Sequence, residues 1–141
     1  MSITDIYDPE SIRNLPTPLA EAYVAAGFPS PADDYLEKGL DLNEYLIKSP
    51  ASTFFVRVAG DSMTNAGIHD GDLLVVDRSR SPKDGCVVIA VIDGEMAVKR
   101  LRRIRRRWAL IPENEQYPSL EIGEETHCSI WGVATYVLHP L

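Results

Sequence analysis

Asp93-Gly94 lies between two apolar runs, Cys86-Val87-Val88-Ile89-Ala90-Val91-Ile92 and Met96-Ala97-Val98-Lys99-Arg100-Leu101. Asp-Gly adopts positive φ at low cost, so two residues of this type between strand-like runs predict a tight antiparallel hairpin. Further runs of strand length follow the same pattern: Thr53–Ala59, Asp72–Asp77, Trp108–Ile111 and Ile130–Leu138. They are rich in Val and Ile and too short for ordinary helices. The expectation is a mostly β, compact antiparallel body with little helix. Asp-Gly recurs at 70 and 84, but the flanking residues do not match, so these pairs mark turns and no repeat.

The first fifty residues have a different character. Residues 1–32 hold five of the ten prolines and no sustained apolar period. Proline fixes φ and removes a donor, which excludes a long helix or a central strand. An extended N-terminal arm is expected, with a docking patch at Leu19–Phe28 that carries Tyr23, Val24 and Phe28. Asp41-Leu42-Asn43-Glu44 reads as a helix start, and Ser49-Pro50 stops that helix, placing a short helix near 41–48. The chain therefore divides into an arm, 1–50, and a β-rich domain, 51–141. Charge divides it similarly. Residues 1–50 carry nine acids and three bases (net −6), and residues 51–141 carry twelve acids and eleven bases (net −1). An acidic arm on a near-neutral body argues against gripping nucleic acid through its phosphates, and strong direct DNA binding is not expected.

No apolar run approaches the roughly 20 residues that span a bilayer. Met1–Asp5 has neither the basic nor the apolar region of a signal peptide. Cys86 and Cys128 are read as reduced thiols. A cytoplasmic protein without membrane contact is expected. No His, Cys and Asp cluster has metal-ligand spacing, and no glycine-rich phosphate loop is present, so neither metal nor cofactor is expected. His69 precedes a turn, and His127 and His139 lie near the C-terminus. None is a good candidate base.

Gly60-Asp61-Ser62-Met63 follows directly on the Thr53–Ala59 run. Glycine lets the chain turn and sets a serine where strand becomes loop. A serine hydroxyl is a poor nucleophile unless a base stands beside it. Lysine serves only if its pKa falls from about 10.4 towards neutrality, and apolar burial causes such a fall. On a strand, Lys99 shares its face with Ala97 and Leu101, and the small Ala97 leaves room for the long side chain. An edge lysine with its amine in water is the competing reading, and the pattern fits both. The dense run Arg100, Arg102, Arg103, Arg105, Arg106, Arg107 reads first as a solvated hairpin. A contact with DNA or an acidic partner is its alternative.

Several motifs occur together: Ala26-Gly27-Phe28-Pro29-Ser30-Pro31-Ala32, Asp41-Leu42-Asn43, Phe55-Val56, Gly60–Met63, Gly71–Asp77, Asp93-Gly94-Glu95 and Val98-Lys99. In this order and spacing, over residues 23–138, they resemble the LexA-type family of Ser–Lys self-cleaving proteins. The likeness is strongest to its UmuD-type branch, accessory subunits of error-prone translesion polymerases of the DNA polymerase V type. The resemblance implies that Ser62 attacks the chain's own backbone with Lys99 as general base, and that the scissile bond is Ala26–Gly27. Alanine stands there where the best-known member has cysteine. By analogy with relatives, the backbone N–H groups of Asp61 and Ser62 form the oxyanion hole. It further implies stimulation by a RecA–single-stranded-DNA filament after DNA damage. The 27–141 product would form a homodimer and join a UmuC-like polymerase subunit in SOS mutagenesis. Loss of residues 1–26 removes four acids and one base, taking the net charge from −7 to −4.

Three rival readings are distinguishable. A LexA-type repressor needs an N-terminal helix-turn-helix, which the proline-broken arm does not supply. A signal-peptidase-like enzyme needs a membrane span. A non-cleaving binding subunit would keep Ser62 and Lys99 only as relics, and the intact Ala26–Gly27 bond argues against it.

Overall fold

The computed structural model describes residues 1–9, 17–20, 36–123 and 127–141. The chain falls into two units, Met1–Pro9 with Ser49–Leu141, and Glu10–Lys48. The scissile bond expected at Ala26–Gly27 lies outside the described residues.

In the smaller unit, strands β2 (Thr17–Ala20) and β3 (Leu36–Leu40) form a two-stranded antiparallel ribbon. Pro18 is tolerated there because each strand of a two-stranded ribbon has a free edge. Helix α1 (Leu42–Leu46) is little more than one turn. Its N-cap is Asp41, whose carboxylate accepts the N–H groups of Asn43 and Glu44. That bond satisfies donors that a helix start otherwise leaves unpaired.

The larger unit is a closed β-barrel. Its strands are β1 (Ser2–Tyr7), β4 (Thr53–Ala59), β5 (Leu73–Asp77), β6 (Val87–Ile92), β7 (Glu95–Ile104), β8 (Arg107–Ile111), β9 (Leu120–Glu121) and β10 (Cys128–Leu138). They hydrogen-bond in the order β1-β4-β5-β10-β6-β7-β8-β9, and a contact between β1 and β7 closes the ring. All pairings are antiparallel. The mostly β, helix-poor architecture expected from the strand-length runs is therefore present. One segment differs from expectation. The arm expected over 1–50 does not begin at its first residue, since Ser2–Tyr7 is a strand of the barrel, paired with β4 from Ser2 opposite Ala59 to Tyr7 opposite Phe55.

The hydrophobic pattern explains how the strands seat. Val56 and Val58 of β4, Leu74 and Val76 of β5, Ile89 of β6 and Val98 of β7 share one core with Met63 and Ile68. Alternate residues of one strand face one side, which is why the contributors on β4 and β5 are two apart. A second cluster joins Val88 and Ala90 of β6 to Leu101, Leu110 and Val133. Strand β6 is thus covered on both faces and reads as an unbroken apolar run. Gly132 allows β10 to cross β5 closely, since a Cβ there would come 2.6 Å from Val76 Cγ1.

The hairpin expected at Asp93-Gly94 joins β6 to β7, with Ile92 opposite Glu95 and φ of 49° and 83° at its two turn residues. Cys86 and Cys128 are free thiols. They flank opposite ends of β6, about 20 Å apart at the rise of an extended strand, too far to bridge. Among the described residues, no helix is long and apolar enough to cross a membrane.

Candidate active site

The end of β4 presents the serine. Gly60 takes φ of 100°, a left-handed conformation that L side chains rarely adopt, and turns the chain out of the strand. Ser62 follows, only 1% exposed, and Met63 plunges into the core beside it with no exposed surface. The apolar anchor after the serine sets the depth of the turn.

Side chains from other elements then hold the turn in place. The Asp70 carboxylate accepts the Gly60 N–H at 2.8 Å. Asn114 Nδ2 donates to the Asp61 carbonyl at 2.9 Å, and the Tyr117 hydroxyl donates to the Asp61 carboxylate. That carboxylate raises the Tyr117 pKa, chiefly through this hydrogen bond. The Asn65 N–H, just past the turn, donates to the Glu113 carbonyl at 2.8 Å. Glu113 is in turn ion-paired with Arg100, whose Nη1 also donates to the Gly85 carbonyl at 2.6 Å. A chain of contacts therefore runs from β7 through the 113–117 loop to the serine turn.

This turn has a chemical consequence. A trans peptide unit points its C=O and the next N–H in opposite directions. Asn114 holds the Asp61 carbonyl and so directs the Ser62 N–H away from itself. Among the described residues, neither the Asp61 nor the Ser62 N–H donates to a protein acceptor. Two unengaged N–H groups beside a hydroxyl are what stabilising an oxyanion requires.

Lys99 lies one residue before Arg100 on β7, opposite Val88 of β6. It is half-buried, and burial holds its amine below the usual lysine range, because the charged form loses solvation. The arginines that follow do not crowd it. Arg102, Arg103, Arg105, Arg106 and Arg107 are all exposed on the β7–β8 hairpin, as the solvated reading expects. One further group responds to both Ser62 and Lys99. The Met1 amino group donates to Ser62 Oγ, and its own pKa is lowered first by burial and then by the Lys99 charge, with Asp61 opposing.

Comparison with known proteins decides the family. The Peptidase S24-like family model matches residues 18–135. The chain belongs to the Peptidase S24-like family. Protein SamA of Salmonella typhimurium is similar at 52% identity over 122 residues, covering 86% of this chain and 84% of SamA. Protein ImpA of Escherichia coli is 49% identical over 132 residues, covering 94% of this chain and 90% of ImpA. Protein MucA of Escherichia coli is 46% identical over 121 residues, covering 84% and 82%. Membership in this peptidase family supports serine-peptidase chemistry for the S24-like chain in general.

Residues that sequence reasoning passed over complete the site. Asn114, Tyr117 and Asp70 reach the serine turn from loops. The separations of Asn114 and Tyr117 from Asp61, 53 and 56 residues, carry no local signal. The histidines stand elsewhere. The His139 Nδ1 is 2.6 Å from the buried Asp72 carboxylate, and its ring packs 4.8 Å from that of His69. Among the described residues, no group of three or more His, Cys, Asp or Glu is placed to hold a metal ion.

Proposed function

We infer that this S24-like chain is a UmuD-type self-cleaving peptidase that cuts its own Ala26–Gly27 bond with Ser62 and Lys99. The observation that carries this reading is the buried serine at a clamped strand-to-turn junction, in a barrel that also carries a half-buried lysine whose amine is depressed by burial. Neutral Lys99 takes the proton from Ser62 Oγ as that oxygen bonds to the Ala26 carbonyl carbon. The resulting oxyanion is met by the N–H groups of Asp61 and Ser62. Lys99, now an ammonium, gives its proton to the Gly27 nitrogen as the C–N bond breaks. Water, activated by the same amine, then releases Ala26 as a carboxylate and restores Ser62.

In this reading cleavage is stimulated by a RecA–single-stranded-DNA filament. The 27–141 product forms a homodimer in the cytoplasm and acts with a UmuC-like polymerase subunit in translesion synthesis. Two small residues at the bond and prolines around it favour an extended segment that enters a narrow cleft.

Incubating the purified chain at mildly alkaline pH and measuring intact mass tests the reading. A fragment beginning at Gly27, absent from Ser62→Ala and Lys99→Ala, is expected. RecA, ATP and single-stranded DNA are added if the mass does not change. A chain that stays whole even then is not a self-cleaving peptidase, and the binding-subunit reading takes its place.

A further inference from the structure

Beyond Arg100 the barrel extends a narrow ribbon into solvent. Among the described residues, β6 pairs with β7 no further than Arg100, and β9 pairs with β8 no further than Ala109. From Arg102 to Arg107 the two strands therefore have only each other as strand partners, with Arg103 opposite Trp108 and Ile104 opposite Arg107. The Asp84 carboxylate accepts the Arg103 N–H at 2.8 Å and ties down the base of the ribbon. Arg102, Arg103, Ile104, Arg105, Arg106 and Arg107 are all exposed. Successive strand residues face opposite sides, so an unbroken exposed run means that both faces of the ribbon are wet.

Positive charge gathers here as nowhere else in the chain. Residues 96–112 hold seven of the fourteen bases and no acid, while the remaining residues hold twenty-one acids and seven bases, a net −14. Arg100 is engaged by Glu113. Among the described residues, none of Arg102, Arg103, Arg105, Arg106 and Arg107 has a carboxylate within ion-pair reach. The register places Arg102 and Arg107 with Ile104 on one face and Arg103 on the other, its guanidinium 5.6 Å from the centre of the Trp108 ring. Arg105 and Arg106 form the tip at φ of 49° and 67°, whereas the hairpin at the other end of β7 fills its turn with Asp93-Gly94. Arginine is a poor choice for such a turn, and a strained arginine at an exposed tip points to work for its side chain.

The planar fork of a guanidinium matches phosphate oxygens. An acidic peptide would lie along one face, but these arginines line both faces and the tip, which fits a partner that surrounds the ribbon with negative charge. A DNA groove does so, because its two walls are phosphate strands, and the major groove, about 12 Å wide and about 8.5 Å deep, admits a two-stranded ribbon. Arg102 to Arg105 spans roughly 10 Å at the rise of a strand, close to that depth. We propose that the Arg102–Arg107 ribbon is a docking surface for double-stranded DNA, entering a groove and meeting phosphates on both of its walls. The acidic remainder of the chain confines the contact to this ribbon, so the protein binds weakly and without reading sequence. The proposal holds whether or not the chain cleaves itself.

Fluorescence anisotropy of a labelled DNA duplex of about two helical turns, titrated with the full chain between about 50 and 200 mM salt, tests this. If all five free arginines meet phosphates, log affinity falls against log salt with a slope of about −4.5, roughly 500-fold over that range. Arg102→Gln with Arg107→Gln keeps two polar side chains but removes their charges, and is expected to bring the slope to about −2.7. Lys48→Gln with Arg80→Gln removes the same charge from exposed positions off the ribbon and is expected to leave the slope unchanged. Thermal melting checks that each variant keeps its fold. No binding of the duplex at the lowest salt, or a slope that both double variants change equally, overturns the proposal. Tighter binding of the single strand of the same sequence, or of polyglutamate, also overturns it and makes the partner an unpaired strand or an acidic peptide.

Discussion

Two turns of the same barrel answer opposite demands. At Gly60–Met63 the chain leaves β4 and is held from outside by Asp70, Asn114 and Tyr117, with Met63 locked in the core. At Arg105-Arg106 the chain passes from β7 to β8 in a two-residue turn, with Ile104 opposite Arg107. Both arginines take positive φ, 49° and 67°, and both side chains are exposed. The first turn uses a glycine for its left-handed residue and draws on remote side chains for rigidity. The second uses residues ill suited to that conformation and relies on its flanking ladder. The difference teaches where accuracy is needed: the serine must sit within fractions of an ångström of its target, while a hairpin tip in water need only close.

The sharpest way to break the anchored side is to remove its chemistry. Lys99→Ala is expected to abolish cleavage, a loss of roughly a thousandfold or more, followed by intact mass. In the unaltered chain the neutral amine is the active form. Cleavage should therefore rise about tenfold per pH unit and level off below the ordinary lysine value of about 10.4. A plateau at or above that value would place Lys99 in water and not in the site. The linked stability has the same sign. The folded-state pKa is lowered, so the unfolded chain holds the proton more tightly, and the cost of burying the amine is full below the folded value and fades as pH rises from there to the ordinary lysine value.

Next in size is the clamp. Asn114→Ala frees the Asp61 carbonyl and is expected to slow cleavage by roughly 10- to 100-fold, the scale on which small misplacements act. Tyr117→Phe removes only the hydroxyl bond to an exposed carboxylate and should cost about threefold or less, because its partner remains solvated. Equal rates for Asn114→Ala and the unaltered chain would erase the contrast between the two turns.

The smallest effect belongs to the exposed turn. Arg105→Gly and Arg106→Gly each relieve an unfavourable positive φ and are expected to raise stability by about 0.5–1 kcal/mol. Thermal melting reads this, and the cleavage rate should not change. A fall in the rate would connect the arginine hairpin to the site and overturn the solvated reading.

Much of this molecule can be read before it folds. Strands β4 to β8 and β10 announce themselves because their apolar runs are dense and Asp-Gly or polar residues bound them. Ser62 and Lys99 stand out because few other residues could fill a nucleophile-and-base pair. Strand β1 does not announce itself. Ser-Ile-Thr-Asp-Ile-Tyr is half polar, precedes a proline-rich stretch, and takes its partner from residues 55–59. Its pairing is backbone work that leaves little trace in side-chain choice. The Asn114 and Tyr117 contacts are hidden for a related reason, since a loop's hydrogen bonds to a distant turn have no period. The Arg105-Arg106 turn was legible as a hairpin loop but not as a positive-φ turn, because arginine carries no such preference.

Closure of the barrel by β1 also governs how the molecule meets its neighbours. While β1 is seated, the backbone groups of β4 are spoken for on both sides. Once it lifts away, Phe55–Ala59 becomes an open sheet margin with a row of unpaired amides and carbonyls, the kind of template that recruits a strand from another molecule. The short polar segment Ser2–Tyr7 thus closes the barrel and covers an edge that would otherwise invite association.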